Sequence, residues 1–181
     1  AMLEAAVKHF DANPARAREL VEEVYQLVIV ALSELRVLLL ELRPGTLTEI
    51  GLKELFQQYL VQPIQDRQRF ALEVSLDDIP ALPGKVQIAL YRIAQEALNN
   101  VAKHAEAENV SLQVLQYDDC IELEICDDGT GFIQDKTEAI SLGLRIMRER
   151  AEEISATLRI ESSLGNGTCI GVIWKQQGEN S

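Results

Sequence analysis

The segment Arg92-Ile-Ala-Gln-Glu-Ala-Leu-Asn-Asn-Val-Ala-Lys-His104 has the residue spacing of a helix with one apolar and one polar face. Its polar residues follow each other in steps of four, four and three: Arg92, Glu96, Asn100 and Lys103. Two consecutive asparagines in the middle of a helix are poor helix formers, which indicates a role other than helix stability. A carboxamide oxygen beside a carboxylate is a ligand set that Mg²⁺ accepts together with several waters.

A glycine-containing loop, Ile125-Cys-Asp-Asp-Gly-Thr-Gly-Phe132, directly follows a predicted strand. It has too few glycines for a dinucleotide-binding loop and lacks the Gly-Lys-Ser/Thr of a P-loop. Asp127 at the strand end can accept a hydrogen bond from an exocyclic amine, and Gly129 and Gly131 allow the backbone to approach a flat ligand. The loop is therefore a candidate contact for a flat ligand that carries an amine.

A third segment, Ser141-Leu-Gly-Leu-Arg-Ile-Met-Arg-Glu-Arg150, opens another predicted helix. Gly143 lies at the helix start, where free N–H groups and the helix dipole favour an anion. Of the three arginines, only Arg145 lies in the first turn, so it is the one that we predict to contact such an anion.

The rest of the chain alternates helices and strands around these segments. The spacing predicts helices over 14–43, 52–64, 85–104 and 142–154, and strands over 70–76, 110–114, 121–125, 158–160 and 170–174. Turns are predicted at 118–119 and 165–167. This order predicts an α+β fold: a two-layer α/β sandwich, with a mixed, mostly antiparallel sheet and helices on one face, preceded by a long-helix hairpin.

Pro44-Gly45 ends the long helix and marks a predicted domain boundary. We expect residues 1–44 to form part of a helical hairpin, residues 45–176 to form a second domain, and residues 177–181 to be a tail. The apolar stripe of helix 14–43 is too wide for a short partner helix to cover, which predicts self-association.

Composition excludes several classes of protein. The 181 residues include 29 acidic and 17 basic side chains, for a formal net charge of −12, which argues against a partner with a nucleic-acid backbone. No apolar run approaches the roughly 20 residues that span a membrane, so we predict no membrane contact for these residues.

Three cysteines at unrelated spacings are a poor disulfide framework, and two histidines offer little to a zinc site. We therefore predict that the cysteines are reduced.

Taken together, the motifs resemble those of the ATP-binding catalytic domain of sensor histidine kinases, within the gyrase/chaperone/histidine kinase/MutL ATPase superfamily. Four elements occur in the expected order, each similar to a motif of that domain: Glu96-x-x-x-Asn100-x-x-Lys103-His104 (the N box), Asp127-x-Gly129-x-Gly131 (the first glycine box), Ser141-Leu-Gly143-Leu144 (the second), and Gly165-x-Gly167-Thr168 (the distal glycine-threonine element). Residues 95–105 and 147–151 look like the nitrate-sensor-type subfamily, and residues 34–44 resemble the second helix of its dimerisation and phosphotransfer hairpin.

The resemblance implies a site for ATP and Mg²⁺. Asp127 would accept a hydrogen bond from the adenine amine with support from Thr168, and Asn100 would ligate Mg²⁺. Glu96 would order a metal-bound water or act as a base. Lys103 and Arg145 would offset phosphate charge. The remaining implied nucleotide contacts are His104, Gly129, Gly131, Gly143, Leu144 and Gly167.

The implied reaction is transfer of the γ-phosphoryl group to a histidine, for relay to an aspartate of a response regulator, in a cytoplasmic homodimer formed through helix 14–43. The acceptor-histidine segment of the family is absent from these residues, so the chain is not expected to phosphorylate itself. The resemblance leaves open whether N-terminal segments anchor a longer protein in a membrane. Two alternatives also remain at this point: an anti-sigma-type serine kinase on the same ATPase fold, and a nucleotide-binding dimerisation scaffold without transferase activity.

Overall fold

A computed structural model describes residues 4, 7, 9–10, 13–42, 51–65, 70–80, 82–133 and 142–176. The chain divides into two compact units, Ala1–Leu42 and Arg43–Ser181. The predicted tail 177–181, most of the short helical segment expected before Asn13, and Ser141 of the second glycine box lie outside the described residues.

The first unit contains one long helix, α1 (Pro14–Leu42). It begins where the sequence predicts, because the Asn13 side chain accepts a hydrogen bond from the Arg16 backbone N–H at 3.1 Å and caps the helix. Apolar side chains remain largely exposed along this helix, at Val21, Val28, Leu32, Leu35 and Leu38. In the ranges that the structure describes, no helix combines the length and apolar character needed to cross a membrane.

The second unit contains four helices and five strands among its described residues. In chain order they are α2 (Leu52–Phe56), a π-helical turn (Gln57–Val61), α3 (Gln62–Gln65), β1 (Ala71–Leu76), α4 (Gly84–Asn100), a second π-helical turn (Val101–Ala105), β2 (Asn109–Tyr117), β3 (Cys120–Asp127), α5 (Leu142–Glu153), β4 (Thr157–Ser162) and β5 (Thr168–Lys175). The sheet order is β1-β2-β3-β5-β4. Only the β1–β2 pair is parallel among these neighbours, so the predicted mixed, mostly antiparallel α+β sheet is confirmed.

One face of the sheet forms the core with the helices. The buried residues of its central strands alternate along the chain: Val110, Leu112 and Val114; Ile121, Leu123 and Ile125; Ile170, Val172 and Trp174. Helix α4 contacts both β3 and α5, and α5 contacts β4. Tyr91 of α4 packs edge-on against Phe56, with ring centroids 6.2 Å apart, and joins α2 to this core.

The opposite face of the sheet carries a disulfide bond between Cys126 of β3 and Cys169 of β5. The prediction that all three cysteines are reduced is therefore wrong for these two, whereas Cys120 is free. The reason is register: the antiparallel β3–β5 pair places Cys126 directly opposite Cys169, with Cα atoms 4.1 Å apart. A separation of 43 residues in the sequence gives no hint of that pairing.

Candidate functional site

A cavity of about 180 Å³ lies between the end of α4, the adjoining ends of β3 and β5, and the first turn of α5. Six of the residues predicted for the site line it: Asn100, His104, Asp127, Gly131, Leu144 and Thr168. Three separate sequence motifs therefore meet at this cavity with the distal threonine.

The π-helical turn Val101–Ala105 shapes one wall of the cavity. An α-helix has 3.6 residues per turn, whereas the i→i+5 bonds of a π-helix make each turn wider. Ala97, Asn100, Val101, His104 and Ala105 line the cavity, a spacing that also places residues on one face of an α-helix. Turns of this kind occur often at functional sites, and the sequence pattern of this segment did not predict it.

Asp127 provides the carboxylate of the cavity. It is the last residue of β3 and lies in phase with Leu123 and Ile125, so its side chain is on the helix-facing side of the sheet. The Gly129 backbone N–H donates to its Oδ1 at 2.9 Å. Partial burial raises the pKa of the Asp127 carboxyl, and the backbone N–H groups of Gly129 and Thr168 oppose that shift. The Asp127 carboxylate is therefore a partly buried hydrogen-bond acceptor.

The neighbouring carboxylate, Asp128, has a structural role outside the cavity. Its Oδ1 accepts the backbone N–H groups of Glu108 and Asn109, both at 2.9 Å, and its Oδ2 accepts the Asn109 Nδ2 at 2.7 Å. These donors, those of Asn109 foremost, lower the pKa of the Asp128 carboxyl. Asp128 is exposed and does not line the cavity, so it fastens the loop to the start of β2.

Two buried glycines allow the loop backbones to pack behind the cavity. A Cβ on Gly129 would overlap the carbonyl of Ala105, which accepts the Thr130 backbone N–H at 2.7 Å. A Cβ on Gly167, whose φ is +72°, would overlap the carbonyl of Asp127. Neither glycine lines the cavity, but both hold Asp127 in place.

The other predicted residues lie at the edge of the site or outside it. The Glu96 carboxylate occupies the space where Gly143 has no side chain, at the start of α5. Lys103 is exposed, and the Arg145 side chain is 67% exposed and forms an ion pair with Glu149 at 3.6 Å. These four residues are not part of the cavity wall.

The cavity wall also contains residues that were not predicted as site residues. They are Ala97, Val101, Ala105, Ile125, Thr130, Phe132 and Ile170. Most are apolar, so the cavity has largely apolar walls with one carboxylate, a lining that suits a heteroaromatic ring with an exocyclic amine. Ile125, Thr130 and Phe132 belong to the quoted glycine loop, which is the sequence signal that could have identified them.

A second polar group lies beside Asp127. Thr168 is directly opposite Asp127 in the β3–β5 pair and also lines the cavity. Its Oγ1 lies 2.9 Å from the Oγ of Ser162. The sequence did not suggest Ser162 for the site.

Residues 85–178 match the family of histidine kinase-, DNA gyrase B- and HSP90-like ATPases. The chain belongs to this ATPase family. The domain is homologous to sensor histidine kinases, which confirms the predicted resemblance to their ATP-binding domain. It is 34% identical to the sensor histidine kinase LiaS of Bacillus subtilis over 183 residues, covering 99% of this chain and 50% of that protein. It is 37% identical to the sensor protein VraS of Staphylococcus aureus over 139 residues, covering 77% of this chain and 40% of that protein.

Solved structures agree with the fold of this ATPase domain. The blue-light activated histidine kinase of Erythrobacter litoralis EL346 matches with a TM-score of 0.62 at 18% identity, over 89% of this chain and 49% of that one. The histidine kinase AdeS of Acinetobacter baumannii matches with a TM-score of 0.52 at 14% identity, over 98% of this chain and 94% of that one. The chain spans about half, or less, of the length of the curated relatives that it matches. These relatives favour a histidine kinase over the serine-kinase alternative.

Proposed function

We propose that this ATPase domain is the catalytic part of a two-component sensor histidine kinase, which binds Mg-ATP and transfers its γ-phosphoryl group to a histidine. The observation that carries the proposal is the Asp127 carboxylate in an otherwise mostly apolar cavity. An adenine ring would lie between the apolar walls and donate its amine to that carboxylate. The second predicted partner, Thr168, lies directly opposite Asp127 and supports the same contact.

The triphosphate would extend from the cavity toward the start of α5. The backbone N–H groups of the first turn, around Gly143 and Leu144, have no partners within the helix and favour an anion. Lys103 and Arg145 are exposed and able to reach phosphate oxygens, and neither contributes to the cavity wall. In a domain with excess acid, such local donors replace a general positive field.

The donor set at this end fits Mg²⁺. Asn100 lines the cavity with a carboxamide oxygen, and Glu96 lies one helical turn earlier with its carboxylate directed to Gly143. Oxygen donors of this kind hold Mg²⁺ together with retained waters and phosphate oxygens. The ion would neutralise phosphate charge when bound. Asn100 would hold it, and Glu96 would order a bound water or accept the proton of the incoming imidazole.

The acceptor would be a histidine on a helix of a longer protein, and the phosphoryl group would pass on to an aspartate of a response regulator. We assign residues 1–44 to part of the dimerisation and phosphotransfer hairpin, residues 45–176 to the catalytic domain and residues 177–181 to a tail. The exposed apolar side chains of α1 would form the homodimer contact. Because its substrate is ATP, we assign the chain to the cytoplasm.

Within the sensor kinases we propose the nitrate-sensor-type subfamily. This assignment rests on Gln95–Ala105 and Met147–Ala151, and on the segment Glu34–Pro44 before the domain. Among the described residues, these segments lie on α1, on α4 with the π-helical turn that follows it, and on α5.

A binding experiment tests the nucleotide part of the proposal. Calorimetry with Mg-ATP should detect binding to the unchanged chain, and Asn100→Ala should abolish or severely weaken it. The matched control is Asn99→Ala, because Asn99 is exposed and does not line the cavity. Equal affinities of the Asn100→Ala variant and the unchanged chain would contradict the assigned role of Asn100.

A transfer experiment tests the reaction. The chain is incubated with γ-radiolabelled ATP, Mg²⁺ and a separately produced helix that carries the acceptor histidine of the longer protein. Label on that helix that is lost in acid and retained in base indicates phosphohistidine, as proposed. Acid-stable label would instead support the serine-kinase alternative, and ATP binding without transfer would support the scaffold.

A further inference from the structure

The Ser162 hydroxyl, at the end of β4, lies within hydrogen-bond distance of three groups. The Phe132 backbone N–H donates to it at 2.9 Å, the Gly167 carbonyl accepts from it at 3.0 Å, and the Thr168 hydroxyl lies 2.9 Å away. Phe132 and Thr168 both line the cavity, whereas Ser162 does not. Ser162 therefore lies immediately behind the cavity wall and connects two parts of it.

Counting hydrogens fixes the direction of these bonds. A serine hydroxyl has one hydrogen and two lone pairs. The Gly167 carbonyl can only accept, and Gly167 is buried, so leaving this carbonyl unpaired would cost free energy. When Ser162 donates its single hydrogen there, the Thr168 hydroxyl must donate its own hydrogen to Ser162. Only this arrangement pairs the Phe132 N–H, the Gly167 carbonyl and the Thr168 hydroxyl at once.

These bonds determine that the two polar side chains, Asp127 and Thr168, offer only hydrogen-bond acceptors to the cavity. The Thr168 hydrogen points to Ser162, so the Thr168 oxygen presents only lone pairs to the cavity. The Asp127 carboxylate, directly opposite, presents only lone pairs as well. Two neighbouring acceptors match an amino group, which has two hydrogens, and repel a carbonyl oxygen at the same position of the ring.

We propose that Ser162 is a positioning residue that holds the Thr168 hydroxyl as an acceptor and so makes the cavity select a 6-aminopurine over a 6-oxopurine. This inference rests on the proposed binding of ATP. Ser162 does not touch the base and acts only through Thr168. Without Ser162, the Thr168 hydroxyl is free to rotate and donate to a 6-oxo group, so selectivity falls.

The test measures the affinities of the chain for Mg-ATP and Mg-ITP by calorimetry. ITP carries an oxygen in place of the adenine amine. The unchanged chain should prefer ATP, and Ser162→Ala should reduce the ITP/ATP ratio of dissociation constants by about tenfold, the equivalent of one hydrogen bond. Ser162→Thr retains the hydroxyl and should retain the ratio. Ser163→Ala is the matched control, because the Ser163 hydroxyl is exposed and bonds to Asn166.

A merely structural role of Ser162 would weaken both nucleotides equally and leave the ratio unchanged, which would overturn the inference. Thr168→Val removes the hydroxyl at nearly constant shape and should lower the ratio by itself. In that background Ser162→Ala should change the ratio no further, since Ser162 acts through Thr168. An unchanged ratio in Thr168→Val overturns the inference even if Ser162→Ala does not fold. Absence of ATP binding to the unchanged chain would overturn the proposed function and this inference together.

Discussion

The adjacent carboxylates Asp127 and Asp128 should respond in opposite ways to the same substitution. Asp127→Asn exchanges a charged acceptor in the cavity for a neutral amide, which can still accept the Gly129 N–H. A hydrogen bond to a charged group contributes about 1.5–3 kcal/mol, so ATP affinity should fall roughly 10- to 150-fold. Calorimetry with Mg-ATP measures the loss, and contacts to the triphosphate should be unaffected.

Asp127→Asn should not destabilise the fold. Burial raises the pKa of Asp127, so the unfolded chain releases this proton at a lower pH than the folded chain does. The stability that protonated Asp127 contributes is therefore lost as pH rises through the raised pKa. At neutral pH the ionised Asp127 carboxylate lowers the free energy of unfolding. A neutral asparagine removes that penalty. Binding has the opposite dependence: ATP affinity should weaken as pH falls through the raised pKa, and Asp127→Asn should abolish this dependence.

Asp128→Asn should lower the melting temperature and leave ATP affinity close to that of the unchanged chain. One acceptor oxygen becomes an amide NH2, so the Asn109 amide must turn its oxygen toward it, and the Glu108 and Asn109 backbone N–H groups lose a charged acceptor. The pKa of Asp128 is lowered by its N–H donors, and its contribution to stability is present above the ordinary aspartate pKa. That contribution disappears as pH falls through the lowered pKa, so the difference from the unchanged chain should shrink there.

The pair of variants makes this reasoning refutable. An Asp127→Asn variant with unchanged ATP affinity would refute the adenine contact. An Asp128→Asn variant that loses affinity as strongly, without loss of stability, would refute the separation of roles between the two neighbours.

Three further results are expected. Gly129→Ala should destabilise the domain by about 1–3 kcal/mol in thermal melts, since its Cβ would overlap the π-helical turn, whereas Gly51→Ala meets no atom within 4 Å and should be neutral. Leu32→Glu should convert dimers to monomers in light scattering, because it charges the exposed apolar face of α1; an unchanged mass would contradict that contact. Reducing the Cys126–Cys169 bond should lower the free energy of unfolding by up to about 4 kcal/mol, the entropy of closing a loop of 43 residues.

Much of the fold follows from periodicity in the sequence. The period of two in Ile121, Leu123 and Ile125 predicts a strand with one buried face, and the same phase identifies Asp127 rather than Asp128 as the carboxylate on that face. Asn13-Pro14 predicts the start of α1 because cap and first-turn chemistry are local. Local rules succeed wherever the determining contacts lie within a few residues.

Features that depend on pairing between distant strands were not predictable in this way. The opposition of Asp127 to Thr168 and of Cys126 to Cys169 depends on the register of β3 with β5, which the long connection between them does not specify. Ser162 was missed in part for the same reason, since one of its partners, Phe132, is 30 residues away, whereas Gly167 and Thr168 are close in the sequence. The π-helical turn was missed because the spacing of Val101–Ala105 also fits an ordinary helix end.

The bond between Cys126 and Cys169 changes how the chain is connected covalently. It closes a ring that runs through Asp127, α5, β4 and Thr168, while α4 lies outside it. One peptide bond cut between residues 127 and 168 would leave the two products joined, so they would separate on a gel only after reduction. A cut between α4 and β3 would instead release the helix that carries Asn100 from the ring that carries Asp127. Asn100, proposed to bind the metal ion, is thus joined to the rest of the site by the peptide chain alone. Asp127, proposed to bind the base, lies inside the ring that the disulfide closes.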